Sequence, residues 1–250
     1  MASTHLDVPT PDGAADAYAA WPDSGGPVPG VLFYMDIFGL RPVLREMVDK
    51  LASYGYYVLA PNVFHREGRT PEEAPDLRRP QNRDAFLAEA LPKLREHGAE
   101  RAERDAGAYV DFLTARPEVA PGPIGVTGYC LGGVLALRTA AARPGQVAAA
   151  ASFHAGHVVT GAPDSPHLTA ERITAELHLA HAARDEAMTP QDVAALERAL
   201  DDAGVTYTSE VYPGTMHGFT MADVPAFSPE ALDRHWERLV ALLARRLGTD

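Results

Sequence analysis

The chain's single cysteine lies at the centre of the stretch Gly-Tyr-Cys-Leu-Gly-Gly, residues 128–133. An apolar run precedes this stretch and an Ala/Leu-rich segment follows it, which predicts a buried strand, a sharp turn and a helix. A turn with glycine two residues before and two residues after its centre lifts a nucleophile clear of a sheet. Cys130 is therefore predicted to be a nucleophile, with a helix N-terminus beyond it that favours a thiolate and an oxyanion. The alternative is a small buried cysteine packed at a helix start.

A catalytic cysteine needs a base or a positively charged neighbour, because a thiol with an ordinary pKa of about 8.5 is mostly protonated at neutral pH. Among the ten histidines, His217 is the best placed, since it follows the last predicted strand in a glycine-flanked loop. The chain order nucleophile, acid, histidine then puts the acid between residues 130 and 217. Asp185 follows a predicted strand directly and is the predicted acid, with Glu186 as its competitor. The structural alternatives are a loop histidine bonded to backbone and a carboxylate at a helix N-terminus.

A second carboxylate, Asp36, ends an early predicted strand in the stretch Tyr-Met-Asp-Ile-Phe-Gly. In such a fold one oxyanion-binding N–H comes from the loop after that strand, and the other comes from the residue after the nucleophile. Ile37 and Leu131 are predicted for these roles. Asp36 either contacts the thiol or the substrate, or is a plain strand-end carboxylate bonded to backbone. Further residues expected to line the pocket or to activate the thiol are Phe38, Tyr129, His154, His157, Phe219 and Met221.

Strand-like and helix-like segments alternate along the chain. Strands are predicted at 14–21, 28–33, 56–60, 123–127, 147–153, 176–181 and 207–212, and helices at 42–51, 84–97, 100–115, 131–142, 190–203 and 228–247. Pro92 is expected to break or kink the second helix. The alternation predicts an α/β fold, a single domain over 1–250 with a mostly parallel central sheet covered by helices on both faces. The polar, unperiodic stretch 62–83 is expected to form a rim or lid loop over the site.

Composition argues against several classes of function. The formal charge is −12 with only 22 Lys and Arg, so we expect no nucleic-acid partner. The first eleven residues lack a basic and apolar leader, and Arg138 and Arg143 interrupt the best candidate for a membrane span. We therefore expect a cytoplasmic protein with no membrane partner. His181, Asp185 and His217 could suggest a metal, but no short ligand pair is present, so neither a metal nor a cofactor is expected.

The stretches 36–39, 128–133 and 217–219, together with Asp185, resemble the dienelactone hydrolase family of α/β hydrolases. The resemblance spans nearly the whole chain, and its most specific part is the Gly-Tyr-Cys-x-Gly-Gly turn. It implies an α/β-hydrolase fold, a triad of Cys130, Asp185 and His217, and a carboxylic ester or lactone hydrolase of the carboxymethylenebutenolidase type with no cofactor.

The resemblance also marks two departures from the best-known members. Asp36 stands where those members have a glutamate that is thought to help generate the thiolate on substrate binding. Met221 stands where they have an arginine that binds the substrate carboxylate, and Arg78, Arg79 and Arg83 of the stretch 62–83 are candidates to replace it. Because a thioether offers no charge-assisted bond to an anion, neutral lactones or aryl esters are expected to be better substrates than dienelactone.

The expected reaction is attack of the Cys130 thiolate on a small lactone or activated ester, with oxyanion binding at Leu131 and Ile37. The competing interpretation is a ligand-binding or redox-responsive relic of the fold with little turnover. A burst of product from an aryl ester without turnover would indicate the relic. A monomer and a dimer are both compatible with the sequence.

Overall fold

The computed structural model describes residues 1–23, 25–71, 73–96 and 98–248. Its centre is an eight-stranded sheet of order β1-β2-β4-β3-β5-β6-β7-β8. The strands are β1 (Ala2–Thr10), β2 (Gly13–Trp21), β3 (Gly30–Tyr34), β4 (Tyr57–Pro61), β5 (Ile124–Tyr129), β6 (Val147–Phe153), β7 (Glu176–Arg184) and β8 (Tyr207–Met216). β1 and β2 run antiparallel to their neighbours, and β3 to β8 are parallel. The predicted mostly parallel sheet is confirmed.

The described residues form six α-helices, which cover both faces of the sheet. They are α1 (Pro42–Ser53), α2 (Pro80–Glu96), α3 (Ala99–Thr114), α4 (Leu131–Ala142), α5 (Pro190–Asp202) and α6 (Pro229–Leu247). Successive side chains of β5 point to opposite faces. A Cβ on Gly125 would strike Leu243 of α6, whereas a Cβ on Gly128 would strike the backbone of α4. The two helices therefore lie on opposite sides of the central strand that ends at Cys130.

The outer strand β1 does not appear among the predicted strands. Its side chains are mostly exposed, with only Val8 buried, so it lacks the alternation that predicts a half-buried strand. It pairs with β2 over its whole length. β2 is therefore an interior strand and not the edge of the sheet.

The helix predicted at 84–97 begins earlier, at Pro80, and passes through Pro92 without ending. Proline removes a hydrogen bond to the carbonyl four residues earlier, which here belongs to Ala88. Ala88 is exposed, so this part of the helix lies on the protein surface. His97, the last residue of the predicted helix, lies outside the described residues.

Four histidines are buried in the core: His154, His178, His181 and His235. The Tyr129 Oη and His235 Nε2 atoms are 2.8 Å apart, but the other ring nitrogen of His235 has no partner among the described residues. Burial lowers the pKa of all four, to about 4 for His178 and about 3 for His235. The fold is therefore built around neutral imidazoles.

This arrangement predicts a loss of stability in acid. The unfolded chain has histidine pKa values of about 6.5 and binds protons that the folded protein excludes, so the free energy of unfolding should fall between pH 7 and pH 5. His178 and His235 should each contribute a loss on the order of 1–2 kcal/mol. Urea denaturation at both pH values measures it. His178→Leu should show a weaker pH dependence than the wild type, and His5→Leu, at an exposed position of β1, should show the same one. An unchanged dependence in His178→Leu would contradict this account.

Candidate active site

Cys130 is the residue between β5 and α4, and its backbone has φ 55° and ψ −117°. This conformation is unfavourable for a residue with a side chain, and it is retained only where the surroundings enforce it. The Cys130 N–H donates to the Phe153 carbonyl over 3.0 Å, and the Cys130 carbonyl accepts from Gly133 over 3.1 Å. The thiol is thereby held, partly exposed, at the carboxyl end of the sheet.

The glycines around Cys130 are required by close approaches of backbone. A Cβ on Gly128 would lie 1.9 Å from the Gly132 carbonyl oxygen, and a Cβ on Gly132 would lie 2.5 Å from the carbonyl oxygens of Tyr34 and Met35. Distances below 3 Å to backbone atoms leave no room for a side chain. The start of α4 therefore lies directly against the end of β3.

The register of β7 and β8 places the predicted acid beside the predicted base. After an irregularity at Ala182, Arg184 pairs with Met216, so the next residues of the two strands are Asp185 and His217. His217 Nδ1 donates to Asp185 Oδ2 over 2.7 Å, and the other carboxylate oxygen accepts from the Ala187 N–H over 2.9 Å. The Asp185 side chain is 3% exposed. Glu186 is exposed, and the structure pairs His217 with Asp185.

His217 carries unusual electrostatics. Burial alone would lower its pKa, but hydrogen bonding to Asp185 and Cys130 and the negative charge of both groups outweigh burial and raise the pKa to about 10. The side chain remains 34% exposed, which leaves it accessible to substrate and water. The arrangement favours the protonated, positively charged form of the His217 imidazole.

Two backbone N–H groups are free to bind an oxyanion near Cys130. The Asp36 carboxylate accepts from Phe38 over 2.9 Å, and the Asp36 carbonyl accepts from Gly39 over 3.2 Å. The Ile37 N–H between them has no protein acceptor among the described residues. The Leu131 N–H belongs to the first turn of α4, where helix geometry provides no partner. These are the two groups predicted for the oxyanion.

Arg41 joins the Ile37 loop to the loop that follows His217. Its guanidinium donates to both oxygens of Asp36, over 2.6 and 3.0 Å, and to both oxygens of Asp223, over 2.5 and 3.0 Å. Arg41 is 3% exposed, and Asp36 is also buried. The Asp36 carboxylate is thus engaged with Arg41 and the Phe38 N–H in this structure. Arg41 and Asp223 are 182 residues apart in sequence, and neither carries a motif that predicts the contact.

The remaining predicted pocket residues are mostly buried. Tyr129 points away from α4 and bonds to His235, Phe219 stacks on Tyr212, and Met221 is inaccessible to solvent. None of these three side chains is exposed enough to meet a substrate in this conformation. They belong to the buried hydrophobic core.

The two predicted pocket histidines that follow β6, His154 and His157, have different surroundings. His154 Nε2 is 2.7 Å from Thr220 Oγ1, and its ring lies edge-on to the His217 ring with centroids 5.4 Å apart. His154 is buried and has a positive φ of 39°. Its contact with Thr220 supports the loop that contains His217. His157 is exposed, and its backbone N–H donates to the Ala187 carbonyl over 2.7 Å.

The stretch 62–83 lies at the same end of the sheet as these loops. Its described residues contain one short 3-10 turn, His65–Glu67, and the first turn of α2, which begins at Pro80, so the predicted loop ends before residue 83. Arg78 donates to the Ala222 carbonyl over 3.0 Å. Arg79 pairs with Asp76, and Arg83 donates to the Leu77 carbonyl. These three arginines bond to the stretch itself or to the loop after His217.

A cavity of about 290 Å³ lies between this stretch, the Ile37 loop and α2. Ile37 lines the cavity, whereas Cys130 and His217 do not. Among the described residues no three His, Cys, Asp or Glu side chains gather in a way that would hold a metal ion. In the same part of the chain, every helix is too short or too polar to cross a membrane.

The Arg41 contacts predict a large cost of removing this side chain. Arg41→Met should lower the free energy of unfolding by about 3–5 kcal/mol, because it leaves the buried Asp36 charge without its partner. The matched control is Arg172→Met, which breaks the exposed Arg172–Glu103 pair and should cost less than about 1 kcal/mol. Urea denaturation of both variants measures the difference. Similar small losses in the two variants would show that Arg41 does not hold the loops together.

Comparison with known proteins identifies the family. The model of the dienelactone hydrolase family matches residues 15–247. The carboxymethylenebutenolidase of Rhodococcus opacus is 30% identical over 220 residues, which cover 87% of this chain and 81% of that protein.

Two solved structures show the same fold. Dienelactone hydrolase from Anabaena variabilis superposes with a TM-score of 0.71 at 19% identity, covering 98% of both chains. A dienelactone hydrolase-like promiscuous phosphotriesterase from metagenomic libraries gives a TM-score of 0.75 at 24% identity, covering 99% of this chain and 100% of that one. Because the family model matches most of its length and its fold is that of an α/β hydrolase, the chain belongs to the dienelactone hydrolase family of hydrolases.

Proposed function

We propose that the protein hydrolyses lactones or activated carboxylic esters with Cys130 as its nucleophile. The observation that carries the proposal is the strained Cys130 at the end of β5, whose thiol interacts with an imidazole that Asp185 holds. A nucleophile, a base and an orienting acid in this relation are the parts of a catalytic triad.

In the first half of the reaction the Cys130 thiolate attacks the carbonyl carbon of the substrate. The carbonyl π electrons move to oxygen, and the N–H groups of Ile37 and Leu131 stabilise the oxyanion. When the tetrahedral intermediate collapses, the C–O bond to the alcohol breaks and the His217 imidazolium protonates the departing oxygen. The product is a thioester on Cys130, and in a lactone the alcohol stays attached to the acyl chain.

In the second half the neutral His217 takes a proton from water, which attacks the thioester carbonyl. The thiolate leaves from the second tetrahedral intermediate, and the carboxylic acid is released after the imidazolium has been restored. Asp185 keeps the ring in one orientation and stabilises its positive charge throughout. No step requires a group that the chain lacks.

Activated esters and lactones suit this nucleophile better than amides do. In the tetrahedral intermediate a thiolate is expelled more readily than an amine, so attack on an amide mostly reverses. The Rhodococcus relative is a carboxymethylenebutenolidase, an enzyme that acts on a cyclic ester, and this supports the same bond type here. Repeated turnover of p-nitrophenyl acetate would separate this proposal from the alternative of a ligand-binding relic, which would give a burst only.

The first test concerns the nucleophile. Because the chain has one cysteine, iodoacetamide should add a single label and abolish hydrolysis, and Cys130→Ala should take up no label and show no activity. Intact mass and initial rates on the same samples measure both effects. Activity that survives complete labelling would remove Cys130 from the mechanism.

The second test concerns the base and the acid. His217→Ala should lower kcat by several orders of magnitude and Asp185→Asn by about two to four, since the orienting acid usually contributes less than the base. The control is Glu186→Gln, which changes the neighbouring exposed carboxylate and should leave kcat within about twofold. If Glu186→Gln were the damaging change, the acid assignment would be wrong.

The third test uses pH. The His217 pKa of about 10 means that the imidazolium is present below that pH and is lost above it. The alkaline limb of kcat/KM should therefore lie near pH 10 in the wild type. Asp185→Asn removes a hydrogen bond that raises the His217 pKa, so its limb should move to lower pH. An unshifted limb in this variant would show that another group controls it.

A further inference from the structure

The cavity beside the Ile37 loop has walls suited to a flat apolar group. Three phenylalanines line it: Phe38 of the Ile37 loop, Phe64 after β4, and Phe86 of α2. The Phe38 and Phe86 rings have centroids 5.3 Å apart with an angle of 56° between their planes. Aromatic side chains in such tilted arrangements bind another ring through its face or its edge. A volume of about 290 Å³ is at the lower end of the range for small-ligand pockets.

The inner polar residues of the cavity, Arg41 and Asn62, already have hydrogen-bond partners within the protein. Arg41 donates to two carboxylates, Asp36 and Asp223, and is nearly inaccessible. The Asn62 side chain donates to Asp16 and to the Gly68 carbonyl, and its oxygen accepts from the Phe64 N–H. These inner polar groups therefore bind protein atoms and not a charged ligand.

The charged side chains at the mouth of the cavity are mainly acidic. Glu67 and Glu73 lie in its lining and are exposed. Arg69 also lines it, but its guanidinium pairs with Asp7 over 2.8 Å. The field at the mouth therefore repels an anion and tolerates a neutral or positive group.

We propose that this cavity is the subsite that holds an aromatic part of the substrate, uncharged or cationic, and that it disfavours a carboxylate. The link to catalysis is Ile37, whose backbone N–H is one of the two proposed oxyanion donors and whose loop forms part of the cavity wall. A substrate whose carbonyl oxygen binds at the Ile37 N–H has the cavity next to it. The proposal rests on the hydrolase mechanism above, and it names the substrate class as aryl lactones and aryl esters without anionic groups.

The test compares three dihydrocoumarins, in which the aromatic ring is fused to the lactone. Each compound carries one substituent on the aromatic ring, para to the ring oxygen and attached through a methylene group. The substituent is a tert-butyl, a trimethylammonium or a carboxylate group. The three lactones therefore have similar chemical reactivity but differ in charge. The kcat/KM values of the first two should exceed that of the carboxylate by about tenfold or more at low salt. A preference for the carboxylate would overturn the proposal.

Variants test the site itself. Phe86→Ala should raise KM for the tert-butyl lactone by about tenfold while leaving kcat/KM for δ-valerolactone, which has no ring, unchanged. Phe112→Ala on α3, a partly buried phenylalanine that does not line the cavity, should change neither value. The double variant Glu67→Gln/Glu73→Gln should narrow the gap between the carboxylate and tert-butyl lactones. No effect of Phe86→Ala on the aryl lactone would place the ring elsewhere.

Binding separates this proposal from the proposed function. Calorimetric titration of Cys130→Ala with the tert-butyl and carboxylate lactones measures the subsite without turnover. Tighter binding of the tert-butyl lactone, weakened by adding Phe86→Ala, would support the subsite even if the wild type hydrolysed no lactone at all. Turnover of δ-valerolactone together with equal kcat/KM values for the three dihydrocoumarins would contradict the subsite proposal. The proposed hydrolase function would remain supported.

Discussion

The absence of side chains at Gly128 and Gly132 is the constraint on which the site depends. A methyl group at Gly132 would lie 2.5 Å from two carbonyl oxygens at the end of β3, so only glycine allows α4 to begin there. This contact brings the Leu131 N–H and the Ile37 N–H to the same end of the sheet. The positive φ of Cys130 is the conformational cost of the arrangement, on the order of 1–3 kcal/mol, and the surrounding hydrogen bonds enforce it.

Three loops that are distant in sequence converge at this point, and polar contacts fasten them to one another. Asp185 orients His217, and Arg41 ties the Ile37 loop to Asp223 in the loop that follows His217. A buried arginine with two carboxylates needs near-ideal geometry to offset the desolvation of its charge, and here each carboxylate is bound through two hydrogen bonds. The Ile37 loop and the loop after His217 are thus connected through a single side chain.

The parts of this arrangement that could be predicted from sequence are those encoded locally. Glycine spacing around Cys130 predicts the turn, and apolar runs predict the parallel strands. The expected chain order of nucleophile, acid and histidine indicates Asp185 as the partner of His217. The contacts of Arg41 could not be predicted, because its partner Asp223 is 182 residues further along the chain and no sequence motif links the two. β1 was missed because an edge strand with one buried side chain has no hydrophobic pattern, and the start of α2 was missed because its first turn is polar.

The irregular pairing of β7 and β8 restricts where residues can be inserted or deleted in related sequences. Side chains alternate between the two faces of a strand, so one residue gained or lost before Met216 would turn His217 away from Asp185. The distance from Ala182 to Asp185 along β7 is restricted in the same way. Between β6 and β7 the first residues are held by the contacts of His154 and His157, but the 3-10 turn at Pro166–Arg172 lies outside the sheet. Insertions should therefore accumulate there during evolution, while the ends of β7 and β8 keep a constant length.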